Sequence, residues 1–586
     1  MSPAVSTDPT APRTGGRAVV ESLVAHGVTA TFGVPGESYL PVLDALHDTD
    51  IRVVTCRHEG GAAFMAEAWG KLTGEPGVCL VTRGPGATNA SIGVHTARQA
   101  STPMLLLVGQ VATHQQGREA FQEVDYRQMF GGLAKWVTEI RSADDVSAAM
   151  AEAFHRALSD RPGPVVVALP EDTLSATTTR PSTPPTPVDP QEPAPAAVAA
   201  IAARLDAAER PVVIVGGGAW TDAARRDLAD FSSRNAIPVV AAFRFHDLLD
   251  NHHPGYVGEA GVAMPAAVRE TLTTADCVVG LGIRFGEMTT AAWDIWSPPA
   301  LSVPLVHVHP DPGQLGRIYA PDVGVVARPG PTLAALGGVA LRRRDDDWCR
   351  SRRAAFLATL DCPAQPGDLD MGEVMAFLRE CLLDDVVVTH GAGNFTVWPD
   401  KFFLYGAGSR LLAPQSGAMG YGLPAAVAAK VADPSRTVVC FAGDGDVQMN
   451  LPELGTALQA GAQPIVLVID NGMYGTIRMH QERHYPQRVV GTDIVNPDFV
   501  ALGRAYGFHA ERVERTAEFG PAFERALAST TGALLHLVVD PTQLTPNQSI
   551  NQARRRRRTP SPTDLRRLPP SEAGGNSTQI GQTSPR

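Results

Sequence analysis

Two glycine–aspartate pairs follow one of the apolar runs of the chain. The run VVCFAG, residues 438–443, has the pattern of a buried strand, and Asp444, Gly445 and Asp446 come directly after it. At the carboxyl end of a strand in an open parallel sheet, glycines let backbone N–H groups approach a phosphate closely, and a following helix directs its positive end there. Aspartate offers the hard oxygen atoms that suit Mg²⁺ beside phosphate oxygens. The motif therefore predicts a site for a phosphate group and a magnesium ion.

A second polar side chain ends the next apolar run, PIVLVID. Asn471 follows this run and lies 471 − 443 = 28 positions after Gly443. If the two runs are neighbouring strands, the amide oxygen of Asn471 is a second candidate metal ligand beside Asp444. Taken alone, GDG and DNG are each typical of a tight turn. The order of strand, glycines, helix, strand and asparagine favours the binding interpretation.

Glu59 stands at the junction between the run IRVVTC and the helical pattern EGGAAFMAEAWGKL. A carboxylate in the first turn of a helix is stabilised by the helix dipole, and the residues alone support no more than this.

The elements that must position these residues are short apolar runs that alternate with helical patterns. Continuous Val, Ile and Leu runs bounded by Gly or Pro are typical of strands buried in parallel sheets. The alternation predicts an α/β protein with three doubly wound parallel-sheet domains, at residues 15–178, 195–345 and 365–545. Residues 179–194 are proline-rich and predict an extended linker. We expect a flexible N-terminus at residues 1–14 and a disordered, arginine-rich tail at residues 549–586.

Composition bounds the class of protein. The chain has 586 residues, a formal net charge of −11, 44% apolar and 19% charged residues, which excludes a mostly disordered or fibrous protein and makes a nucleic-acid binder unlikely. Its seven cysteines are scattered and fit neither a zinc site nor a secreted disulfide framework. The N-terminus has no signal pattern, and no apolar run approaches the ~20 residues of a membrane helix. We expect a cytoplasmic enzyme. The run Arg554–Arg558 could bind nucleic acid or acidic partners, but a solvated tail is favoured.

GDGDVQMN followed by VIDNGMYG resembles the diphosphate and metal motif of the thiamine-diphosphate (ThDP) enzymes, in the acetohydroxyacid (acetolactate) synthase branch. The similarity extends over nearly the whole chain between its two tails. It implies pyrimidine-binding, central and diphosphate-binding domains, in that order, with ThDP and Mg²⁺ as cofactors. It also implies that Mg²⁺ is held by the side chains of Asp444 and Asn471 and the carbonyl oxygen of Met473. The residues implied to lie against the diphosphate are Gly393, Asn394, Phe395, Gly443, Gly445 and Asp446.

The segment around Glu59, RHE followed by GGAAFMAE, resembles the position of the activating glutamate of this family. The resemblance implies that Glu59 hydrogen-bonds N1′ of the cofactor's pyrimidine ring and drives the tautomer that removes the thiazolium C2 proton. SGAMGYGLP resembles the wedge segment, which implies that Met419 bends the cofactor and the Gly417 carbonyl holds its 4′-amino group. The alternative is that Met419 fills a gap in the core, as methionines often do, but the surrounding glycines suit close backbone approach to a ligand and favour the functional interpretation.

In this family the glutamate and the metal motif of one active site belong to different subunits. The resemblance therefore implies a homo-oligomer, a dimer or a tetramer, with its active sites at the dimer interface.

The loop Phe121-Gln122-Glu123 and the later Lys135 resemble the substrate loop of the synthases, which implies that Gln122 lies near the reacting carbon. A polar surface loop is the alternative. Related pyruvate decarboxylases carry adjacent histidines here, whereas this chain has only His114. We therefore expect a carboligase that decarboxylates a 2-oxo acid, most simply pyruvate, and transfers the hydroxyalkyl carbanion to an acceptor carbonyl. The alternatives are a decarboxylase or acyl transferase of specialised metabolism and a catalytically silent regulatory homologue, and the presence of Glu59, Asp444 and Asn471 speaks against the last.

Three departures from the family pattern bear on specificity. Arg83 replaces the serine of an SGPG motif, and it could contact an anionic substrate or, as we favour, pair with an acidic residue. His480 lies where the synthases carry an acceptor-selecting tryptophan. Of the FAD segment RFDDRVTG only Arg284 and Phe285 remain, so FAD is possible but less expected than its absence.

Overall fold

The computed structural model describes residues 11–342, 344–382 and 384–555. Within them, three parallel six-stranded sheets alternate with helices, and two short antiparallel strand pairs accompany them. The prediction of an α/β protein with three doubly wound parallel sheets is confirmed. The Val, Ile and Leu runs become fully buried strands, as continuous apolar runs do in parallel sheets.

The first domain carries the sheet with strand order β3-β2-β4-β5-β7-β6. Its elements are β1 (Arg13–Thr14), α1 (Gly15–Ala25), β2 (Ala30–Gly33), α2 (Leu40–Leu46), β3 (Arg52–Thr55), α3 (Glu59–Thr73), β4 (Gly77–Val81), α4 (Pro85–Ala100), β5 (Met104–Gln110), α5 (Tyr126–Phe130), β6 (Trp136–Glu139), α6 (Val146–Leu158), β7 (Pro164–Pro170), α7 (Glu171–Ser175) and β8 (Thr177–Thr178).

Residues 179–194 contain neither helix nor strand and lead into the central domain. Its sheet has the order β11-β10-β9-β12-β13-β14. The elements are α8 (Pro195–Ala207), β9 (Pro211–Val215), α9 (Asp222–Asn235), β10 (Val239–Ala242), β11 (Tyr256–Ala260), α10 (Ala266–Thr274), β12 (Cys277–Leu281), β13 (Leu305–His309), β14 (Val323–Val326), α11 (Pro329–Gly337) and α12 (Asp347–Leu357).

The C-terminal domain has the order β16-β15-β17-β18-β20-β19. Numbered from their own first strands, the first and C-terminal sheets share the order 2-1-3-4-6-5. The elements are α13 (Met371–Cys381), β15 (Val387–His390), α14 (Val397–Phe402), β16 (Arg410–Leu412), α15 (Gly422–Ala432), β17 (Val438–Gly443), α16 (Asp444–Val447), α17 (Glu453–Ala460), β18 (Ile465–Asp470), α18 (Gly475–His484), α19 (Phe499–Ala505), β19 (His509–Val513), α20 (Thr516–Leu527), β20 (Ala533–Val538), β21 (Gln543–Thr545), β22 (Gln548–Ser549) and α21 (Ile550–Arg555).

Helix α3 of the first domain packs against α15 of the C-terminal domain. The rings of Phe64 and Tyr421 meet edge to face, with centroids 5.3 Å apart. The Tyr421 hydroxyl donates to the carboxyl group of Glu67 at 2.5 Å, and Lys71 donates to the carbonyl oxygen of Ala413 at 2.8 Å. Burial raises the pKa of Glu67 and lowers that of Lys71, so each group depends on its partners inside this interface.

The structure corrects the two expected flexible ends. Arg13 and Thr14, expected in the flexible N-terminus, pair as β1 with Thr177 and Thr178. Residues 549–555, expected in the disordered tail, form the end of β22 and helix α21. Arg554 is not a solvated tail residue, because it donates two hydrogen bonds to the buried Glu482, at 2.8 and 2.6 Å. The remainder of both predictions, residues 1–10 and 556–586, lies outside the described residues.

We predict that Arg554→Ala destabilises the protein by roughly 1 kcal/mol at neutral pH, because Glu482 is only 1% exposed and loses its charged partner. The hydrogen bond from Arg554 lowers the pKa of Glu482 to about 2. A carboxyl group with a lowered pKa contributes stability that is complete above its ordinary pKa of about 4.3 and is lost as the pH falls towards the lowered value.

The difference between the free energies of unfolding of wild type and Arg554→Ala should therefore shrink as the pH falls from about 5 towards about 2. Denaturant unfolding at several pH values measures it, and the exposed neighbour variant Arg555→Ala is the matched control. Equal destabilisation by both variants would contradict the assignment.

Candidate functional site

A cavity of about 240 Å³ lies at the carboxyl ends of β15, β17 and β18. The strand order of the C-terminal sheet reverses between β15 and β17, and open parallel sheets bind ligands at such a reversal. Every residue that the sequence assigned to the cofactor within this domain lines the cavity: Gly393, Asn394, Phe395, Gly417, Met419, Gly443, Asp444, Gly445, Asp446, Asn471 and Met473. Residues separated by as many as 80 positions along the chain therefore face one space.

Asp446 ties together the loops around this cavity. Its Oδ1 accepts hydrogen bonds from the backbone N–H groups of Ala392, at 3.0 Å, and Gly420, at 2.9 Å. Burial raises the pKa of Asp446 to about 7. A Cβ atom on Gly391 would lie 2.0 Å from Oδ1, so this approach requires glycine. Asp446 thus holds the loops before α14 and α15 at fixed positions beside the GDGD turn.

Asp444 faces a second carboxylate across a shared amide. Asn496 donates from Nδ2 to Asp444 at 2.7 Å and to Asp470 at 2.8 Å. Burial, reinforced by the neighbouring charge of Asp470, raises the pKa of Asp444 to about 6. A divalent cation beside Asp444 would relieve this repulsion. The oxygen donors of Asp444, Asn471 and Met473 around one cavity fit Mg²⁺.

The segment that carries Met419 is held from the first domain. The side-chain hydroxyls of Thr96 and Ser416 hydrogen-bond at 2.9 Å, next to the contacts of Lys71 and Tyr421 described above. Gly417 has a φ of +69°, a conformation that favours glycine, and it lies at the edge of the cavity. Met419 also lines the cavity, so it is not a core gap-filler.

An unoccupied hydrogen-bond donor points to a polar ligand. The buried Nδ2 of Asn394 has no partner within the described residues, while its Oδ1 accepts from the Thr476 hydroxyl at 2.9 Å. A buried donor without a partner is costly unless a ligand completes it. Together with glycines that permit close backbone approach, this fits a diphosphate.

Glu59 and Gln122 lie in the first domain. Neither is among the described residues that line this cavity. Glu59 begins α3, is half-buried and accepts a hydrogen bond from Asn89 at 2.9 Å. A Cβ on Gly86 would lie 3.5 Å from its Oε1, and a Cβ on Gly84 would lie 2.7 Å from the Gln122 carbonyl oxygen. Both residues therefore cluster where β4 runs into α4, at the strand-order reversal of the first sheet.

Arg83 and Lys135, two further residues that the sequence singled out, make contacts within the first domain. Arg83 pairs with Glu37 and Glu171, in agreement with the interpretation we favoured. Lys135 lies directly before β6, at the amino end of that strand, and donates to the carbonyl oxygen of Ser159, whereas Gln122 lies beside the carboxyl end of β4.

Two histidines lie on exposed surface. His114 is a loop residue 72% exposed. His480 is exposed on α18, where its ring stacks on His484 with centroids 6.2 Å apart.

Sequence reasoning missed Asn496 and Asp470. Asp470 ends an apolar run and could have been recognised as a residue at a strand's carboxyl end. Asn496 lies in an irregular loop and gives no periodic signal, so only the fold brings it to Asp444.

Three family models describe this arrangement. The N-terminal TPP-binding domain of the thiamine pyrophosphate enzymes matches residues 13–129, the central domain matches residues 198–336, and the C-terminal TPP-binding domain matches residues 391–537. The cavity at the GDGD turn lies within the last of these.

Curated relatives of this chain include acetolactate synthases. The large subunit from Parasynechococcus marenigrum (strain WH8102) is 33% identical over 91% of this chain and 89% of the relative. The isozyme 2 large subunit from Escherichia coli (strain K12) is 32% identical over 90% of this chain and 95% of the relative. A probable acetolactate synthase large subunit from Methanocaldococcus jannaschii is 31% identical over 91% of this chain and 93% of the relative. The chain belongs to the acetolactate-synthase-like thiamine pyrophosphate enzymes, whose cofactor is ThDP.

Across the described residues, no helix combines the length and apolarity needed to cross a membrane.

We predict that Asp446→Ala weakens ThDP binding by roughly 10- to 100-fold, because the loops at Ala392 and Gly420 lose their common acceptor. Asp446→Asn should bind nearly as wild type, since both donors use one oxygen that asparagine keeps. Titration calorimetry with ThDP and Mg²⁺ measures both affinities. Equal affinities for wild type and Asp446→Ala would contradict the role of this carboxyl group.

Proposed function

We propose that the protein is a ThDP- and Mg²⁺-dependent carboligase. It removes CO₂ from a 2-oxo acid, most simply pyruvate, and joins the remaining fragment to an acceptor carbonyl. The observation that carries the proposal is the convergence of Asp444, Asn471, Gly417 and Met419 on one cavity at the strand-order reversal of the C-terminal sheet. The names of the relatives, acetolactate synthases, support the carboligase class.

The residues around the cavity that the sequence singled out would hold the cofactor in different ways. Asp444, Asn471 and the Met473 carbonyl would hold Mg²⁺, and the glycines at 393, 443 and 445 would admit the diphosphate to the backbone. Met419 would be the apolar support of the cofactor, and the Gly417 carbonyl would accept a hydrogen bond from its amino group. When bound, ThDP supplies the nucleophilic carbon and the electron sink for decarboxylation.

Glu59 is the proton-transfer residue of the proposal. Glu59 belongs to another domain and is not among the described residues that line the cavity of its own chain. Its position supports an active site that is completed by a second copy of the chain. Gln122 lies near Glu59 and follows Phe121, which is 75% exposed. A homodimer would bring Glu59, Gln122 and Phe121 over the partner's cavity, cover this apolar surface and exclude water from the reacting carbon.

FAD is not part of the proposal. Phe285, one of two residues matching the flavin segment, is buried against His307 and Tyr319, and the other, Arg284, donates to the Gln99 carbonyl. The adjoining cavity of about 490 Å³ is lined by acidic and basic side chains alike, so its charge does not select for the phosphates of a dinucleotide. These side chains are Glu259, Glu287, Asp400, Arg244, Arg284 and Lys401.

The direct test incubates purified protein with pyruvate, ThDP and Mg²⁺ and identifies the products by NMR. Acetolactate is the expected product, and chelation of Mg²⁺ or Asp444→Ala should abolish its formation by removing cofactor binding. Formation of acetaldehyde alone would overturn the assignment as a carboligase and indicate a decarboxylase. If pyruvate is not consumed, its assignment as the donor substrate would be overturned. Visible absorption of the same sample reports whether a flavin co-purifies.

We predict that Glu59→Gln lowers turnover by about 10²- to 10⁴-fold, the usual contribution of a general acid–base group, while ThDP still binds. Glutamine keeps the shape of the side chain but cannot exchange the proton. Steady-state kinetics and calorimetry measure the two effects, and near-normal turnover in Glu59→Gln would remove Glu59 from the mechanism.

The same variants test the shared active site. Glu59→Gln and Asp444→Ala are each expected to be inactive, but unfolding, mixing and refolding them together should restore about a quarter of the wild-type rate. Half of randomly assembled dimers are mixed, and each mixed dimer has one complete site. Failure of the mixture to regain activity would place Glu59 and Asp444 of one chain in one site.

A further inference from the structure

Glu453 is a fully buried carboxyl group that the cofactor cavity does not use. It begins α17 of the C-terminal domain and is 0% exposed. Its Oε1 accepts hydrogen bonds from the backbone N–H groups of Arg57, at 3.2 Å, and His58, at 3.0 Å, in the first domain. Its Oε2 accepts from the Thr456 hydroxyl at 2.5 Å. This carboxyl group therefore binds the backbone N–H groups of the two residues that precede Glu59.

The contact fixes the point where β3 passes into α3. His58 caps α3 by accepting the N–H of Gly60 on its Nδ1 at 3.0 Å, and Glu59 is the first residue of the helix. A Cβ on Gly61 would lie 2.4 Å from Glu453 Oε1, so the helix can rest on this carboxyl group only with glycine there. Glu453 thus lies directly beneath the turn that aims Glu59.

Arg57 strengthens the same junction. Its guanidinium donates to the carbonyl oxygen of Gly455 at 3.2 Å and to the side chain of Gln459 at 2.8 Å, both on α17. Backbone and side chain of one residue are therefore bound to one helix of the other domain. A hydrogen-bonded support of this kind keeps a reacting group within the small positional tolerance that proton transfer needs.

We propose that Glu453 is a positioning residue that sets the direction of Glu59 towards the cofactor. The proposal rests on the proposed function, in which Glu59 is the proton-transfer residue. Glu453 is not among the residues that line the cofactor cavity, and in this proposal it acts through the backbone at Arg57 and His58.

The chain between Asp444 and Glu453 gives this contact a second consequence. The segment starts at the cofactor cavity, passes Asn450, which donates to the Gly420 carbonyl at 2.8 Å, and ends beneath Glu59. In the proposed dimer, one short segment therefore joins the cofactor site of its own chain to the glutamate that serves the partner's site.

The experiment compares Glu453→Ala and Glu453→Gln in the full-length protein. Alanine leaves the two backbone N–H groups without an acceptor, whereas glutamine can keep its oxygen on them and turn its amide towards Thr456. We expect Glu453→Ala to slow the exchange of the C2 proton of bound ThDP for deuterium by roughly 10- to 100-fold, and Glu453→Gln to recover most of the rate. The calorimetric affinity for ThDP should stay near that of wild type in both variants.

A second readout needs no cofactor. Amide hydrogen exchange of the apo protein, read by mass spectrometry over residues 52–65, should rise in Glu453→Ala. Asp276→Ala is the matched control, because Asp276 likewise accepts the backbone N–H groups of two consecutive residues, Glu209 and Arg210, at 3.0 and 2.9 Å, in the central domain. That control should leave both the C2 exchange rate and residues 52–65 unchanged.

The outcomes separate the two proposals. Wild-type C2 exchange in a folded Glu453→Ala protein, or a loss of ThDP affinity as large as that of Asp444→Ala, would overturn the positioning role. If Glu453→Ala does not fold, Thr456→Val removes one donor to the same carboxyl group and should slow C2 exchange in the same direction, and an unchanged rate there would overturn the proposal. If Glu59→Gln itself exchanges the C2 proton normally, the proposed function fails and the role of Glu453 fails with it.

Discussion

Helix α3 is fixed to the C-terminal domain at both ends, and the candidate active site depends on this attachment. Glu453 holds the backbone before its first residue, Glu59, and Lys71 near its end binds the carbonyl oxygen of Ala413. Between them, Glu67 accepts the Tyr421 hydroxyl. One helix therefore carries the candidate proton-transfer residue and also positions the segment that ends at Met419. Any rotation of α3 would move both parts of the chemistry together.

The attachment is made by buried polar groups rather than by apolar packing alone. An apolar interface tolerates sliding, because dispersion and the hydrophobic effect have little directionality. Carboxyl groups that accept from particular N–H and O–H donors tolerate much less, since a displaced contact leaves a buried polar group without a partner. Burial raises the pKa of both Glu67 and Glu453, because removal from water disfavours the charged form of a carboxyl group. The arrangement exchanges some stability for one defined geometry between the domains.

The strands could be predicted from the sequence better than the contacts between residues that are far apart along the chain. Apolar runs such as VVCFAG and PIVLVID became buried strands, because a strand covered on both faces must be apolar throughout. Asp444 and Asn471 were found because strand, glycines, helix, strand and asparagine follow one another in the order of a phosphate and metal site, and the other candidate cofactor residues were found through the family resemblance. Asn496 and Glu453 were missed, since each acts across more than 50 positions of intervening chain and neither lies in a motif. Arg554 was misjudged for the opposite reason, because a run of arginines looks solvated until one of them meets a buried carboxylate.

The first and C-terminal sheets share one strand order, and each carries part of the candidate site. Both sheets reverse their order between corresponding strands, so each has a crevice at the carboxyl ends of its strands. In the C-terminal sheet this crevice has the glycines and carboxylates that suit a metal and a diphosphate. In the first sheet the corresponding crevice has Glu59 at the start of α3, a carboxyl group that suits proton transfer instead. In the proposed homodimer, the crevice of the first sheet in one chain would meet the crevice of the C-terminal sheet in its partner, so that each chain would contribute one half to each of two sites.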